Sequence, residues 1–225
     1  ASHLAQAARL LAALAESDAA GLIDDGRLAI AGIRALPQER KVNLLRWWIR
    51  AQGLGAPSAA RLESILGELI EARADAEPVV RWESGELRRY RDRLYAMRPL
   101  QDPPARDLRF DPQAAEGVEL GGGLGRIALA SSDQGGIDPD QAREIVIRFR
   151  AGGESLRPHP GRPRKRLKKL CQEAGIVPWM RERMPLLCVG TRLLAVGDLW
   201  IDADLAVAAG KPALRPVWSG RPQLR

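Results

Sequence analysis

At 225 residues and 45% apolar content, the chain is long enough to bury one large core or two modest ones. No apolar run approaches the roughly 20 residues of a membrane-spanning helix, and Cys171 and Cys188, with only His3 and His159 beside them, are too few for a disulfide framework or a zinc site. The net charge of +7 is divided unevenly: residues 1–75 net zero, 76–100 net +2, 101–142 net −5 and 143–225 net +10, so the basicity belongs to one end and favours a polyanionic partner there.

The first hundred residues read as mainly helical. Leu4, Ala7, Ala8, Leu11 and Ala15 recur at helical spacing in an Ala-rich opening that lacks a basic leader, so it reads as an amphipathic helix and not a signal peptide. The chain starts inside this pattern without a cap, which suggests a piece of something longer. A second helix is expected from about Pro37 to Gln52, burying Val42, Leu45, Trp48 and Ile49 and ending at Gly53. A third begins at Pro57, with the stripe Leu62, Ile65, Leu66, Leu69 and Ile70. Val79 to Trp82 and Leu87 to Arg91 then flank Ser84-Gly85 as a hairpin, and Arg93 to Met97 adds a third strand.

Residues 101–117 shift to Pro, Asp and Gln and read as a linker between a domain over 1–100 and another over 118–225. Beyond it, Arg126 to Leu129, Glu144 to Arg150, Leu186 to Val189 and Arg192 to Ile201 read as strands. One helix fits 164–174, and the tail after Lys211 is expected to be loosely held. The fold class is α+β: a helical domain with a small antiparallel sheet, followed by a β-rich α/β domain.

No catalytic constellation is present. Gly121-Gly122-Gly123-Leu124-Gly125 lacks the Lys-Ser/Thr of a P-loop and precedes no helical pattern, so it reads as a loop between strands. Ala151-Gly152-Gly153-Glu154-Ser155 resembles a degraded Ser-Gly-Gly-x-Asp-Ser pyrophosphate loop without its first Ser and its Asp, and it reads as a hairpin turn. Asp24-Asp25 and Asp138/Asp140 sit in turn-like sequence and read as solvated loop ends. No metal ligand set can be assembled, and the two cysteines read as buried free thiols of a reducing cytoplasm.

The strongest local signal is basic. Seven of the thirteen residues from Arg157 to Lys169 are cationic (Arg157, Arg162, Arg164, Lys165, Arg166, Lys168 and Lys169), and none is acidic. Pro158, Pro160 and Pro163 keep the first half extended. Leu167, Leu170, Cys171 and Ala174 bury one stripe of the second half. Cations on the first turns of a helix oppose its dipole, and a docked anion would remove that conflict, so phosphate binding is weighed there against a merely solvated basic face. A second cluster, Arg88, Arg89, Arg91 and Arg93, lies on the expected hairpin, where the arginines are candidates for phosphate contact and Tyr90 is expected to pack against Trp82.

Several of these segments resemble one family. Ile145 to Arg150, Gly152-Gly153-Glu154, Arg157-Pro158 and Leu167-Lys168-Lys169-Leu170 look like the C-terminal domain of bacterial tRNA(Ile)-lysidine synthetase. Pro178-Trp179, Arg181, Arg183, Pro185 to Leu187 and Leu193 to Val196 extend the likeness. Asn43 to Arg46 and Arg88 to Tyr95 are similar to that family's central substrate-binding domain. The resemblance implies a parent ligase that uses ATP and Mg to activate the wobble cytidine of the CAU-anticodon isoleucine tRNA, which lysine then converts to lysidine. It also implies that the catalytic domain carrying the intact loop is missing here, leaving an inactive tRNA-binding portion without a cofactor of its own. Arg181 and Arg183 join the clusters above as candidate tRNA-binding residues. The expected partner is the isoleucine tRNA in the cytoplasm, with homodimerisation left open. A DNA-binding regulatory module and a basic protein-interaction domain are the alternatives.

Overall fold

The computed structural model describes residues 2–73, 76–112 and 116–224. The chain divides into two units, Ala1–Leu100 and Gln101–Arg225.

In the first unit, helical stripes close over a small sheet. Helix α1 (Ser2–Ala19) is followed by a tight hairpin of β1 (Ile23–Asp24) and β2 (Arg27–Ala29), then α2 (Ile30–Arg34) and α3 (Gln38–Ala51). Asp25 and Gly26 both adopt positive φ, 49° and 74°, the geometry that a two-residue hairpin requires. Helix α4 (Ala59–Ser64) starts where Ser58 Oγ accepts the Arg61 N–H at 3.3 Å, and it runs into a π-helical turn over Ile65–Ile70. Strands β3 (Val79–Trp82), β4 (Gly85–Tyr90) and β5 (Arg93–Met97) complete an antiparallel sheet of order β1-β2-β5-β4-β3.

The expected stripes of α3 and α4 enter the core, where Leu45, Trp48, Ile49, Leu62, Ile65 and Leu69 meet Leu28, Leu87 and Leu94 from the sheet. Helix α1 departs from expectation. Of its predicted face only Ala15 is buried, with Asp18 and Ala19 beside it, while Leu4, Leu10 and Leu11 are exposed. It joins α3 through an Asp18–Arg40 ion pair and through Asn43 Nδ2, which donates to the Leu11 carbonyl at 2.8 Å. Periodicity states that a stripe exists and is silent on what covers it.

The second unit is built on two antiparallel sheets. Strands are β6 (Leu108–Phe110), β7 (Val118–Glu119), β8 (Arg126–Ser132), β9 (Gly136–Ile137), β10 (Ile145–Phe149), β11 (Ser155–Leu156) and β12 (Lys165–Arg166). After helices α5 (Leu167–Glu173) and α6 (Pro178–Arg181) come β13 (Pro185–Val189), β14 (Arg192–Val196), β15 (Trp200–Ile201), β16 (Ala206–Val207) and β17 (Ala213–Ser219). One sheet has the order β15-β14-β13-β10-β6 and the other β16-β9-β17-β8-β7, while β11 and β12 form a separate hairpin. The fold class is α+β, as expected.

Three local expectations are corrected. The stretch read as a linker over 101–117 supplies β6, which pairs with β10 from Ile145↔Phe110 to Ile147↔Leu108; residues 113–115 lie outside the described residues. The tail read as loosely held forms β17, laddered to β8 from Ala213↔Ser132 to Ser219↔Arg126. Trp218 on that strand is buried and donates its indole N–H to the Leu124 carbonyl at 2.6 Å. Pro216 within that strand costs the ladder only one N–H donor. The Gly152-Gly153 turn does not join paired strands, because β10 and β11 belong to different sheets.

Candidate nucleic-acid interface

The basic run is a hairpin before it is a helix. β11 and β12 pair through Ser155↔Arg166 and Leu156↔Lys165, and the three prolines lie in the loop between them. That loop turns where the Arg162 N–H donates to the His159 carbonyl at 3.2 Å. Helix α5 begins only at Leu167, later than the expected 164, with its first N–H bonded to the Glu154 carbonyl at 2.8 Å. Leu167, Leu170 and Cys171 are buried as expected. Of the cations assigned to the first turns, only Lys168 and Lys169 are on the helix, so the proposed conflict with its dipole largely disappears.

Acidic residues from elsewhere in the chain then sort the seven cations. Arg164 donates to Asp202 at 2.8 Å and to Asp204 at 2.9 Å, Arg157 pairs with Asp204 at 2.8 Å, and Lys165 pairs with Glu173 at 3.0 Å. Asp202 is 1% exposed and also accepts the Asp204 N–H at 3.1 Å, so it is the buried anchor of the hairpin. Arg162, Arg166, Lys168 and Lys169 are exposed, and among the described residues none of the four has an ion-pair partner. These four form the surface available to an anion. The other three hold that surface in place. Asp202→Ala leaves the Arg164 guanidinium without its buried partner and is expected to cost about 2–3 kcal/mol of stability. Hydrogen exchange at the β11–β12 ladder measures it, and unchanged protection there would refute the anchoring role.

The arginines of the first unit divide in the same way. Arg89, expected as a phosphate contact, is 4% exposed and donates to the carbonyls of Leu69, Ile70, Ala72 and Arg91. It caps the end of the π-helical turn from inside the core. Arg88 is largely buried and donates to Glu86 at 2.7 Å; Glu86, fully buried, also accepts from Arg81 at 2.9 Å. Neither Arg88 nor Arg89 is placed to meet a phosphate: strand alternation carries Arg89 inward with Leu87, and Arg88 on the other face is held by the buried Glu86. Arg91 is exposed in the β4–β5 turn with its guanidinium 5.1 Å from the Tyr90 ring centroid, and Arg93 is half-buried on β5. Trp82, the expected neighbour of Tyr90, instead donates its indole N–H to the Gly55 carbonyl at 2.8 Å. Arg181 and Arg183 are half-buried: Arg181 Nε donates to the Ile176 carbonyl at 2.9 Å, and Arg183 donates to the carbonyls of Trp179 and Gln101 and to Asp102. Both brace the α6 turn.

The glycine loops are filled by the chain itself. A Cβ on Gly125, at φ 74°, would stand 2.1 Å from the Ser219 carbonyl, so that loop exists to let β17 pass. The N–H groups of Ala151 and Gly152 both donate to Glu154 Oε1 at 2.7 Å, occupying the donors a phosphate would need. The 151–154 loop therefore has no open N–H pair at Ala151 and Gly152 for a pyrophosphate, and among the described residues no group of three or more His, Cys, Asp and Glu is placed to hold a metal ion. Asp138 caps a short 3-10 turn and Asp140 pairs with Arg143, so both are loop-end carboxylates. Cys171 and Cys188 are free and buried. Burial pushes both thiols up, Cys188 to about 11, so neither is a nucleophile near neutral pH.

Two families of known sequence match. The TilS substrate binding domain covers residues 28–95, and the TilS substrate C-terminal domain covers residues 145–218. The chain belongs to the tRNA(Ile)-lysidine synthase family. The tRNA(Ile)-lysidine synthase of Methylococcus capsulatus is 36% identical over 228 residues, covering 97% of this chain and 51% of the relative. That of Ralstonia nicotianae is 38% identical over 219 residues, covering 93% and 47%, and that of Coxiella burnetii 36% over 197 residues, covering 87% and 44%. The chain thus spans about half the length of these synthases. The four free cations and their acidic anchors all lie within the synthase C-terminal match, and Arg88 to Arg93 lie within the substrate-binding match. Glu86, Asp202, Asp204 and Glu173 were missed from sequence. The only local signal was Glu86 standing at the start of a strand rich in arginine, where a buried acid has cationic partners at hand.

Proposed function

We propose that this chain is the tRNA-holding portion of a tRNA(Ile)-lysidine synthase acting in the cytoplasm. The parent would use ATP, Mg and lysine to convert the wobble cytidine of the CAU-anticodon isoleucine tRNA to lysidine. The observation that carries the reading is the exposed set Arg162, Arg166, Lys168 and Lys169, without an ion-pair partner among the described residues, on a hairpin–helix corner tied down by the buried Asp202 and the exposed Asp204 and Glu173. With the backbone tied down there, only the exposed side chains remain to be ordered when they meet phosphates. Chemistry is assigned outside the described residues, whose glycine loops are occupied by Glu154 and by the β17 backbone. No helix among the described residues is long and apolar enough to cross a membrane.

The test is binding of the purified chain to the CAU isoleucine tRNA, a non-cognate tRNA and duplex DNA across a salt series. Preference for the isoleucine tRNA, with log affinity falling linearly against log salt, is the expected result. Equal weak binding to all three would reduce the chain to an electrostatic clamp. Tighter binding to the DNA duplex would overturn the reading.

A further inference from the structure

The basic hairpin also forms one wall of a second feature. Its loop stretch Pro158-His159-Pro160 closes a cavity of about 420 Å³ together with Trp200 on β15, Arg215 on β17 and the Gly135-Gly136 backbone at β9. That volume lies within the range of sites built for small organic groups. The lining is mostly proline, alanine and aliphatic side chain, with Trp200 as its one aromatic face. Trp48, Trp82 and Trp218 donate their indole N–H groups to backbone carbonyls at 3.0, 2.8 and 2.6 Å, each bracing a turn. Trp200 instead stands half-exposed on the edge strand of its sheet.

The cavity lining carries one carboxylate, Asp198, and one guanidinium, Arg215. Asp198, the carboxylate in the lining, is paired with Arg221. Arg215 is exposed and, among the described residues, has no ion-pair partner. Its stem packs on Gly136, where a Cβ would come 3.0 Å from Arg215 Cγ and 2.5 Å from the Leu214 carbonyl. The cavity therefore offers an aromatic face, apolar walls, the exposed His159 imidazole at its rim and one uncompensated cation.

We propose that this cavity receives one unpaired nucleotide of the RNA whose backbone lies on Arg162, Arg166, Lys168 and Lys169. The base stacks against Trp200, and its phosphate meets Arg215. The proposal rests on the RNA-binding reading of the strip, because the strip supplies the continuity: only Pro160 and Gly161 separate the cavity wall at His159 from Arg162. Unpaired bases are recognised by stacking on aromatic rings while cations follow the backbone, and an apolar slot beside a cationic strip meets both needs.

The experiment uses the whole chain, with a hexaadenylate single strand as one probe and a blunt RNA duplex as the other. The Trp200 indole N–H resonance is assigned by its loss in Trp200→Phe. Hexaadenylate is expected to shift that resonance, Trp200→Leu to weaken hexaadenylate binding roughly 10-fold, and Trp200→Phe to weaken it much less. Arg215→Gln, at an exposed side chain, is expected to weaken it as well, which keeps the test valid if Trp200→Leu lowers stability. An unmoved indole, unchanged affinity in both variants, or no hexaadenylate binding overturns the pocket. The duplex reads the strip separately: salt-dependent duplex binding with Trp200 unmoved in both titrations refutes the pocket and keeps the strip. No duplex binding refutes the strip, while the hexaadenylate shift still decides the pocket.

Discussion

Replacing Arg162, Arg166, Lys168 and Lys169 together with glutamine is expected to lower RNA affinity roughly 100-fold at moderate salt and to flatten the slope of log affinity against log salt by about 3. The slope is the decisive reading. Each phosphate neutralised contributes roughly 0.7–0.9 to it, so four exposed cations remove about that total. The contrast is with Arg164→Gln, which leaves Asp202 buried without its partner. That variant should lose stability while its salt slope stays within about one contact of the parent. Filter binding or fluorescence anisotropy from 50 to 200 mM salt separates the two outcomes. A quadruple variant with an unchanged slope would mean that the strip does not carry phosphate, however basic it is.

Arg89→Ala is expected to destabilise the first unit by about 3–5 kcal/mol. The guanidinium reaches the carbonyls of Leu69, Ile70 and Ala72 at 3.0, 3.2 and 2.6 Å, all at the end of the π-helical turn. A helix end presents carbonyls that no later N–H can reach, and the negative pole of its dipole favours a cation there. Removing the side chain orphans those carbonyls at roughly 1–3 kcal/mol each. Arg34, which also donates to the Ile70 carbonyl, offsets part of the loss. Arg89→Lys should rescue little, since one ammonium on a flexible stem cannot reproduce a planar fork held on several acceptors. Urea unfolding followed by far-ultraviolet circular dichroism measures the effect. A variant within 1 kcal/mol of the parent would show that Arg89 is dispensable to the core and would reopen its candidacy as an RNA contact.

Much of the fold was legible wherever a local pattern had a single meaning. The α3 and α4 stripes buried as read, because apolar residues at i, i+3 and i+4 on a helix between polar partners leave one sensible face inward. Strands β3 to β5 followed from the Ser84-Gly85 turn set between runs of β-prone residues. Asp25-Gly26 carried an equally clear hairpin signal that was read only as solvated carboxylates. The resemblance at Ile145 to Arg150 and Leu167 to Leu170 was a matter of ordered residue identities, and it held without reference to any contact.

What the sequence by itself determined was the set of participants: the class of fold, the family, and a basic run from Arg157 to Lys169 with no acid inside it. Only the tertiary structure decided which cations are free. Asp202 and Asp204 lie about forty residues beyond Arg164, and they neutralise Arg157 and Arg164 because β15 ends beside the β11–β12 hairpin. Arg89 and Arg91 look alike in the chain, yet one is sealed among carbonyls and the other stands in a turn. Charge counted along a chain is local, whereas desolvation and pairing depend on neighbours in space. A phosphate-binding surface is what remains after the fold has matched its own acids to its own bases.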